Sequence, residues 1–151
     1  MKAKDIMVRQ VYKVKESDPV RVVIEKFIEH RISGLPVVND RNEVVAYISD
    51  GDIMRYIGKH DDHVFASYYY TAVFKGDNEE FHERVHSLLP LNVMKMARKK
   101  VIAVDAEEDI EQIAAILGKK RIKKLPVLRR GVLVGIISRG DVIRHSFQFI
   151  L

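Results

Sequence analysis

The chain has 151 residues, of which 47% are apolar and 31% charged, so it is long enough to bury a core and has the balance of a globular protein. The absence of cysteine excludes disulfides, thiolate metal sites and cysteine nucleophiles. The net charge of +5 is uneven: residues 1–89 carry −2 and residues 90–151 carry +7. A basic half of this kind either forms a solvated face or attracts an anionic ligand, a nucleotide or a nucleic acid.

The N-terminal residues 1–5 include two lysines and an aspartate, and no apolar segment as long as the core of a signal peptide follows them, so we expect no secretory signal. No apolar run in the sequence approaches the roughly 20 residues that a membrane-spanning helix needs. Together with the lack of cysteine, these features lead us to expect a cytoplasmic protein without a membrane partner.

The first 56 residues show the pattern of a strand, a helix, two strands and a second helix. Pro19 is a typical first-turn residue, and Val20, Val23 and Phe27 recur at helical spacing behind it. Short apolar runs on either side of an Asp-Arg-Asn-Glu turn predict a hairpin. The predicted elements are a helical lead-in at 5–8, a strand at 11–14, a helix from 20 to about 29, strands at 35–38 and 44–48, and a helix from 53 onward.

The second half repeats this order at a nearly constant offset. Residues 101–104 match residues 11–14 at an offset of 90. The second hairpin turn is one residue shorter, and after it Ser138 matches Ser49 at an offset of 89. A constant register with one loop deletion indicates an internal repeat. Each repeat is too small to hold a good core alone, so we expect the two to pack on each other.

Between the repeats, residues 57–89 contain two apolar stretches at helical spacing, 65–73 and 81–88. Residues 61–62 are acidic and suit the start of the first stretch, and residues 76–78 have the composition of a turn. The pattern predicts a helical hairpin between the repeats.

Two short stretches carry the chemistry of the sequence. Residues 135–142 run from a strand end through Ser138 to Asp141, which opens an apolar helical pattern, and residues 46–53 repeat this arrangement. Helix N-termini bind anions through their free N–H groups and the helix dipole. A carboxylate three residues after the hydroxyl could accept hydrogen bonds from paired hydroxyls such as those of a ribose. Each aspartate could equally be a simple helix cap.

Two motifs occur once in each repeat, and a third precedes the first repeated strand. They are the Asp-Ile-Met lead-in at 5–7, the Leu-Pro-Val strands at 35–37 and 125–127, and the Ser-x-Gly-Asp caps at 49–52 and 138–141. The duplicated set resembles the CBS domain, and the tandem pair resembles a Bateman module. The resemblance extends over both repeats and leaves out the central insert and the last few residues.

The resemblance implies an α/β (α+β) fold, in which two tandem β-α-β-β-α repeats pack about a pseudo-twofold axis and leave two equivalent clefts. It also implies a disc-like homodimer. The domains expected on this basis are a first repeat at 1–56, the helical insert at 57–89, a second repeat at 90–146 and a tail at 147–151.

Such modules commonly bind AMP, ADP, ATP or S-adenosylmethionine in their clefts. The resemblance places the ribose hydroxyls at the cap aspartates, phosphate or ribose at the preceding serines, and the base or phosphate at the residues before each Leu-Pro pair. The residues expected at the ligand are Ser33, Gly34, Ser49, Asp52, Lys123, Lys124, Ser138, Arg139, Gly140 and Asp141.

The two caps differ at one position, where the first has Asp50 and the second has Arg139. An acid at this position disfavours phosphate, whereas an arginine beside Lys123 and Lys124 favours it. We therefore rank the second cleft above the first as a nucleotide site.

These observations favour a stand-alone regulatory module that binds an adenine nucleotide or adenosyl ligand and acts on an effector protein. An alternative is a structural dimerisation module with empty or insert-covered clefts, and a weaker one is a nucleic-acid-binding protein that uses the basic half. No nucleophile has a placed base, so we expect no enzyme, no catalytic residue and no catalytic cofactor. His82 and His86 have i, i+4 spacing but no third ligand, so we expect no metal.

Overall fold

The computed structural model describes residues 1–59, 63–69, 71–74 and 80–151, and it consists of two similar halves. Each half contains a short strand, a helix, a hairpin of two strands and a second helix. The elements of the first half are α1 (Ala3–Ile6), β1 (Val14–Lys15), α2 (Val20–His30), β2 (Gly34–Val38), β3 (Val44–Ser49) and α3 (Asp50–Ile57).

The second half follows the same plan after a one-turn helix at Val93–Lys95. Each half forms a three-stranded sheet, in which the short first strand is parallel to the second and the second is antiparallel to the third. The elements of this half are β6 (Val104–Asp105), α5 (Ile110–Lys119), β7 (Lys124–Arg129), β8 (Val132–Ser138) and α6 (Arg139–Phe147).

The register of the two hairpins confirms the internal repeat. Gly34 lies opposite Ser49 in the first sheet, and Lys124 lies opposite Ser138 in the second, which reproduces the offsets of 90 and 89. Each hairpin also has an irregularity one residue after its Pro-Val pair, at the equivalent positions 37/38 and 127/128. A shift of one residue would turn the buried face of a strand outward, so this common register keeps equivalent side chains in the two cores.

The hairpin turns meet near the pseudo-twofold axis. Asn42 and the equivalent Gly131 both have positive φ angles, of 60° and 78°, which glycine and asparagine tolerate best. The Leu133 N–H donates to the Asn42 carbonyl at 2.9 Å, and the Asn42 side-chain amide donates to the Leu133 carbonyl at 3.0 Å. These bonds join the two repeats at the ends of their hairpins.

The two repeats exchange their lead-in segments. In α1, Ala3 and Ile6 are buried in the core of the second repeat, together with Ile113, Leu125 and other residues of that half. The segment before the second repeat behaves in the equivalent way, because Leu88 and Val93 are buried in the core of the first repeat. Neither core is therefore built from one repeat alone, as expected from the small size of each half.

Backbone hydrogen bonds fix the exchanged segments to the hairpins. Val8 and Ile136 exchange N–H···O bonds of 2.9 and 3.0 Å, and the equivalent pair Tyr47 and Arg98 exchange bonds of 2.9 and 2.8 Å. As a result, residues just after position 97 lie against the cap of the first repeat, and residues near Val8 lie against that of the second.

The prediction for the first part of the insert is wrong. The segments β4 (His63–Ala66) and β5 (Thr71–Phe74) form an antiparallel pair in place of a helix, and Tyr68 and Tyr69 are exposed between them. Aromatic and β-branched residues are concentrated in both segments and favour strands over the apolar spacing that had indicated a helix. The predicted acidic cap at 61–62 and the turn at 76–78 lie outside the described residues.

The second part of the insert is the helix α4 (Phe81–Leu88), close to the predicted range. The Arg84 side chain is buried, and its Nε donates to the Ile57 carbonyl at 3.0 Å, which ties α4 to the end of α3. Among the helices of the described ranges, none combines the length and apolarity that crossing a bilayer requires.

Candidate functional site

The two cap aspartates are buried and bonded in equivalent ways. Asp52 and Asp141 have only 7% and 6% of their surface exposed. The Ser49 N–H and Oγ donate to Asp52 Oδ2 at 3.0 and 3.3 Å, and the Ser138 N–H and Oγ donate to Asp141 Oδ2 at 2.8 and 2.9 Å. Both aspartates therefore stabilise the first turn of the following helix, as the cap interpretation expects.

An arginine one turn later covers the second oxygen of each aspartate. Arg55 pairs with Asp52, and the Arg144 Nη2 donates to Asp141 Oδ1 at 2.5 Å. The Nε of Arg98, from the exchanged segment, also lies 3.5 Å from Asp52 Oδ1. Both oxygens of each carboxylate are therefore engaged by groups of the chain itself.

A cavity of about 330 Å³ lies between the two repeats, beside the cap of the first. This volume is at the lower end of the roughly 300–1,000 Å³ found for small-molecule sites. The first repeat provides one wall and the second repeat the other. Its lining residues are Ser33, Gly34, Tyr47, Ser49, Asp50, Gly51, Arg55, Arg98, Lys100, Val101, Ile102, Arg121, Ile122, Lys123, Lys124 and Pro126.

Five of the ten predicted ligand residues line this cavity: Ser33, Gly34, Ser49, Lys123 and Lys124. The other five are not among the described residues of its lining; they are Asp52, Ser138, Arg139, Gly140 and Asp141. Asp52 lies directly behind two lining residues, because it is paired with both Arg55 and Arg98. The structure thus brings the first cap and the basic stretch of the second repeat to one cavity.

Asp50 and Arg139, the residues at which the two caps differ, both form hydrogen bonds with nearby backbone groups. The Arg139 Nη2 donates to the Leu117 and Lys120 carbonyls at 2.8 and 3.1 Å, which caps the C-terminal end of α5. The Asp50 Oδ1 accepts from the Gly51 N–H at 2.8 Å and places a carboxylate at the cavity wall.

Sequence reasoning missed several lining residues, of which Arg98 and Lys100 are the most informative. They precede the first strand of the second repeat, yet they face the cap of the first repeat because the lead-in segments are exchanged. The consecutive basic residues 98–100 indicated a possible anion contact, but the sequence does not show which cap they approach.

Tyr47 closes part of the cavity by lying over Gly34. A Cβ atom at position 34 would stand 2.7 Å from the Tyr47 hydroxyl, so the absence of a side chain there makes room for the ring. Burial, with a smaller contribution from the Asp50 carboxylate, raises the pKa of Tyr47 to about 12. The phenol is therefore neutral at ordinary pH and can donate a hydrogen bond into the cavity.

This shift predicts a loss of stability at alkaline pH. Below pH 10 the tyrosine is protonated in both states, but above it the unfolded chain ionises first, so the stabilising contribution disappears between pH 10 and about 12. From pH 8 to pH 11, wild type should lose about 1 kcal/mol more free energy of unfolding than the Tyr47→Phe variant. Urea titrations of both proteins at the two pH values measure this difference, and equal losses would contradict the assignment.

The equivalent position in the second cleft is packed differently. Ile136 takes the place of Tyr47, and Met7 lies against Gly135, where a Cβ atom would stand 2.4 Å from the Met7 sulfur. In the first repeat the corresponding residues are Ala46 and Ala97, both of which contribute to the first core. The exchanged methionine thus occupies space at the second cap that has no counterpart at the first.

No cluster of three or more potential metal ligands occurs within the described ranges. His82 and His86 both lie on α4 and are exposed.

The geometry agrees with a family comparison. The model of the CBS domain family matches residues 3–59 and 93–147, which correspond to the two repeats. The chain belongs to the CBS domain family. The two matched segments show that it contains a tandem pair of CBS domains, as the duplicated motifs predicted. The mixed α/β fold of two three-stranded sheets with helices is that of solved CBS-pair proteins.

Among the relatives is the uncharacterized protein MJ1426 of Methanocaldococcus jannaschii, which is 31% identical over 95% of this chain and 89% of its own length. The chloroplastic CBS domain-containing protein CBSX1 of Arabidopsis thaliana is 28% identical over 89% of this chain. The chain spans only 58% of CBSX1, so that relative has further sequence outside the shared region.

A solved structure of similar fold is CBSX2 in complex with AMP, from the same plant. It is 23% identical, has a TM-score of 0.73, and the alignment covers 98% of this chain and 97% of CBSX2. At this level of identity the likeness establishes the shared fold of a CBS pair.

Proposed function

We propose that this CBS pair is a non-enzymatic regulatory module that binds an adenine nucleotide or adenosyl ligand in the cavity beside the first cap. The observation that carries this proposal is a single cavity with an apolar region, hydroxyl groups and a basic wall, formed by both repeats. Ligand pockets typically combine apolar lining with a few placed polar groups in this way. The AMP complex of CBSX2 supports an adenine nucleotide as the class of ligand.

The cavity offers a distinct environment to each part of such a ligand. Val101, Ile102 and Pro126 provide apolar contact for a base. Ser49 and Tyr47 provide hydroxyls, and Asp52 can accept the ribose hydroxyls once Arg55 and Arg98 turn away. The displaced guanidinium groups remain within the cavity wall, where phosphate oxygens are suitable partners.

Regulation would follow from the fact that both repeats line the cavity. A ligand that contacts Ser49 on one repeat and Lys123 on the other stabilises the arrangement in which both are within reach. A ligand shifts a conformational equilibrium only by its difference in affinity for the two states. An effector protein that binds one arrangement would therefore respond to the nucleotide.

The second cap remains a proposed second site, with Ser138, Gly140 and Asp141 as its candidate residues. Its cap geometry is equivalent to the first, Lys124 lies opposite Ser138 in the sheet register, and the Lys123 carbonyl accepts from the Arg139 N–H at 3.3 Å. Because Arg139 is bonded to the end of α5, it can contribute to phosphate binding only after releasing those carbonyls.

Calorimetric titration of AMP, ADP, ATP and S-adenosylmethionine tests the proposal. Asp52→Asn and Asp141→Asn make the same near-isosteric change at equivalent positions, so each serves as the control for the other. We expect Asp52→Asn to weaken binding at least tenfold, because it removes the charge-assisted bonds to a ribose. Asp141→Asn should change the affinity of the cavity beside the first cap less than threefold, because Asp141 does not line that cavity. Thermal unfolding checks that both variants fold.

If wild type binds none of the four compounds below millimolar concentration, the proposal fails. If Asp141→Asn has the larger effect, the ligand occupies the second cleft and the assignment of the cavity is wrong. Binding without any change in either variant would contradict ribose recognition by the cap aspartates.

We also propose that the module forms homodimers. Apolar side chains at equivalent positions of α3 and α6 are exposed, with Met54 at 57% and Ile143 at 60%, and Phe147 is 49% exposed on α6. Two related helices that both expose apolar side chains suit a symmetric contact between two copies. If nucleotide binding fails while sedimentation still finds a dimer, the structural dimerisation alternative is favoured.

A further inference from the structure

The charges of the cavity are divided sharply between its two walls. The described lining residues of the second repeat include five basic and no acidic side chains: Arg98, Lys100, Arg121, Lys123 and Lys124. Of the described lining, the first repeat contributes Arg55 and one acidic residue, Asp50. The cavity therefore has one strongly basic wall and one wall of hydroxyl groups, amides and a carboxylate.

From this division we propose that the cavity selects a nucleoside triphosphate over a monophosphate and over the cationic S-adenosylmethionine. The inference rests on the proposed function, because it concerns the ligand class of the same cavity. It places the ribose at the cap of the first repeat and the polyphosphate chain along the basic wall of the second.

The N-terminus of α3 is poorly suited to hold a phosphate. The Asp50 N–H donates to the Ser33 carbonyl at 2.8 Å, and the Gly51 N–H donates to the Asp50 carboxylate. Two of the first amides of the helix are thus already used, and an acid stands in front of them. Phosphate groups are consequently directed to the opposite wall.

Most of the basic side chains at the cavity have no carboxylate partner among the described residues. Asp52 is paired with Arg55 and Arg98. In contrast, Lys100, Arg121, Lys123 and Lys124 form no ion pair with a carboxylate of the described part of the chain. Among the residues that the structure describes, six basic side chains face two carboxylates, Asp50 and Asp52, a balance of +4 at the cavity.

Ligand charge then decides between the candidates. A monophosphate carries about two negative charges at pH 7 and a triphosphate about four, so only the triphosphate neutralises the excess. S-adenosylmethionine has a sulfonium and an ammonium group against one carboxylate and is repelled by the same wall. Because the basic side chains are partly exposed, the preference should weaken as salt increases.

Titration of AMP, ADP and ATP in magnesium-free buffer at low and high salt tests this inference. At low salt we expect ATP to bind at least tenfold more tightly than AMP, with ADP between them and S-adenosylmethionine weakest. The affinity for ATP should also fall more steeply with salt than that for AMP. Inorganic tripolyphosphate and a single-stranded RNA oligonucleotide are titrated beside them.

Lys100→Gln combined with Arg121→Gln removes two charges from the basic wall. This variant should reduce the affinity for ATP about tenfold and that for AMP less than threefold. The matched control is Arg129→Gln combined with Arg130→Gln, which removes two exposed charges at the β7–β8 turn, away from the cavity, and should leave both affinities unchanged.

The outcomes separate this inference from the proposed function. If AMP binds as tightly as ATP, the triphosphate preference is overturned while nucleotide binding stands. If none of the adenine nucleotides binds, both fail. Tripolyphosphate binding as tight as that of ATP would remove the nucleoside from the proposal, and tighter RNA binding would replace it by a nucleic-acid interface.

Discussion

Replacing Ile6 by alanine should lower the free energy of unfolding by about 2–5 kcal/mol. Ile6 is 2% exposed and lies in the core of the second repeat, although it belongs to the segment before the first. The substitution removes buried apolar surface and leaves a cavity at the junction of the two repeats. Urea denaturation followed by circular dichroism measures the change.

Ile28→Ala is the matched control, since Ile28 is 75% exposed on α2. The same chemical change there should alter stability by less than about 0.5 kcal/mol. If both variants lose equally little, the N-terminal segment does not complete the second core, and the exchange of lead-in segments would be wrong.

Gly135→Ala should destabilise the protein by about 1–3 kcal/mol, because the added methyl group cannot fit beside Met7. The new Cβ would stand 2.4 Å from the Met7 sulfur and 2.9 Å from its Cβ, so movement of the flexible end of the methionine alone does not relieve the overlap. Thermal and urea unfolding of the variant test this expectation.

A second substitution distinguishes this overlap from a general intolerance of position 135. Combining Gly135→Ala with Met7→Ala recreates the alanine pair that the first repeat has at positions 46 and 97. The double variant should be more stable than the sum of the two single effects indicates, with a coupling of about 1 kcal/mol or more. Simple additivity would show that the two side chains do not meet.

Much of the fold could be predicted because the repeat constrains it twice. The offset of 90 before the second hairpin and 89 after it predicted which residues are equivalent, and the pairing of Gly34 with Ser49 and of Lys124 with Ser138 confirms it. Each half alone offers only a few short apolar runs, but two copies in the same order leave little freedom of register.

The exchange of the lead-in segments could not be predicted. Residues around Val8 and Arg98 are equivalent, and a short apolar segment fits either core equally well on composition alone. Which core receives it depends on the packing of the whole pair. This is why Arg98 and Lys100 were missed as residues beside the first cap.

The preference for the second cap is based on the residue types Asp50 and Arg139, and the structure adds the direction of the Arg139 side chain. Side-chain direction decides whether a charge serves a ligand, and Arg139 points to the end of α5. The helix prediction for the first part of the insert was wrong for a different reason. Its spacing of apolar residues suits a helix, while its residue types suit strands, and a single short segment does not resolve that conflict.

The exchanged segments also determine when this chain can fold as it is synthesised. The last helix of the first repeat ends at Ile57, but its core still lacks Leu88 and Val93, which leave the ribosome later. Ala3 can be buried only later, because its core partners Leu125 and Ile137 are synthesised after Val93. Although the two halves look independent in the sequence, their cores can therefore be completed only together, after the second hairpin has been synthesised.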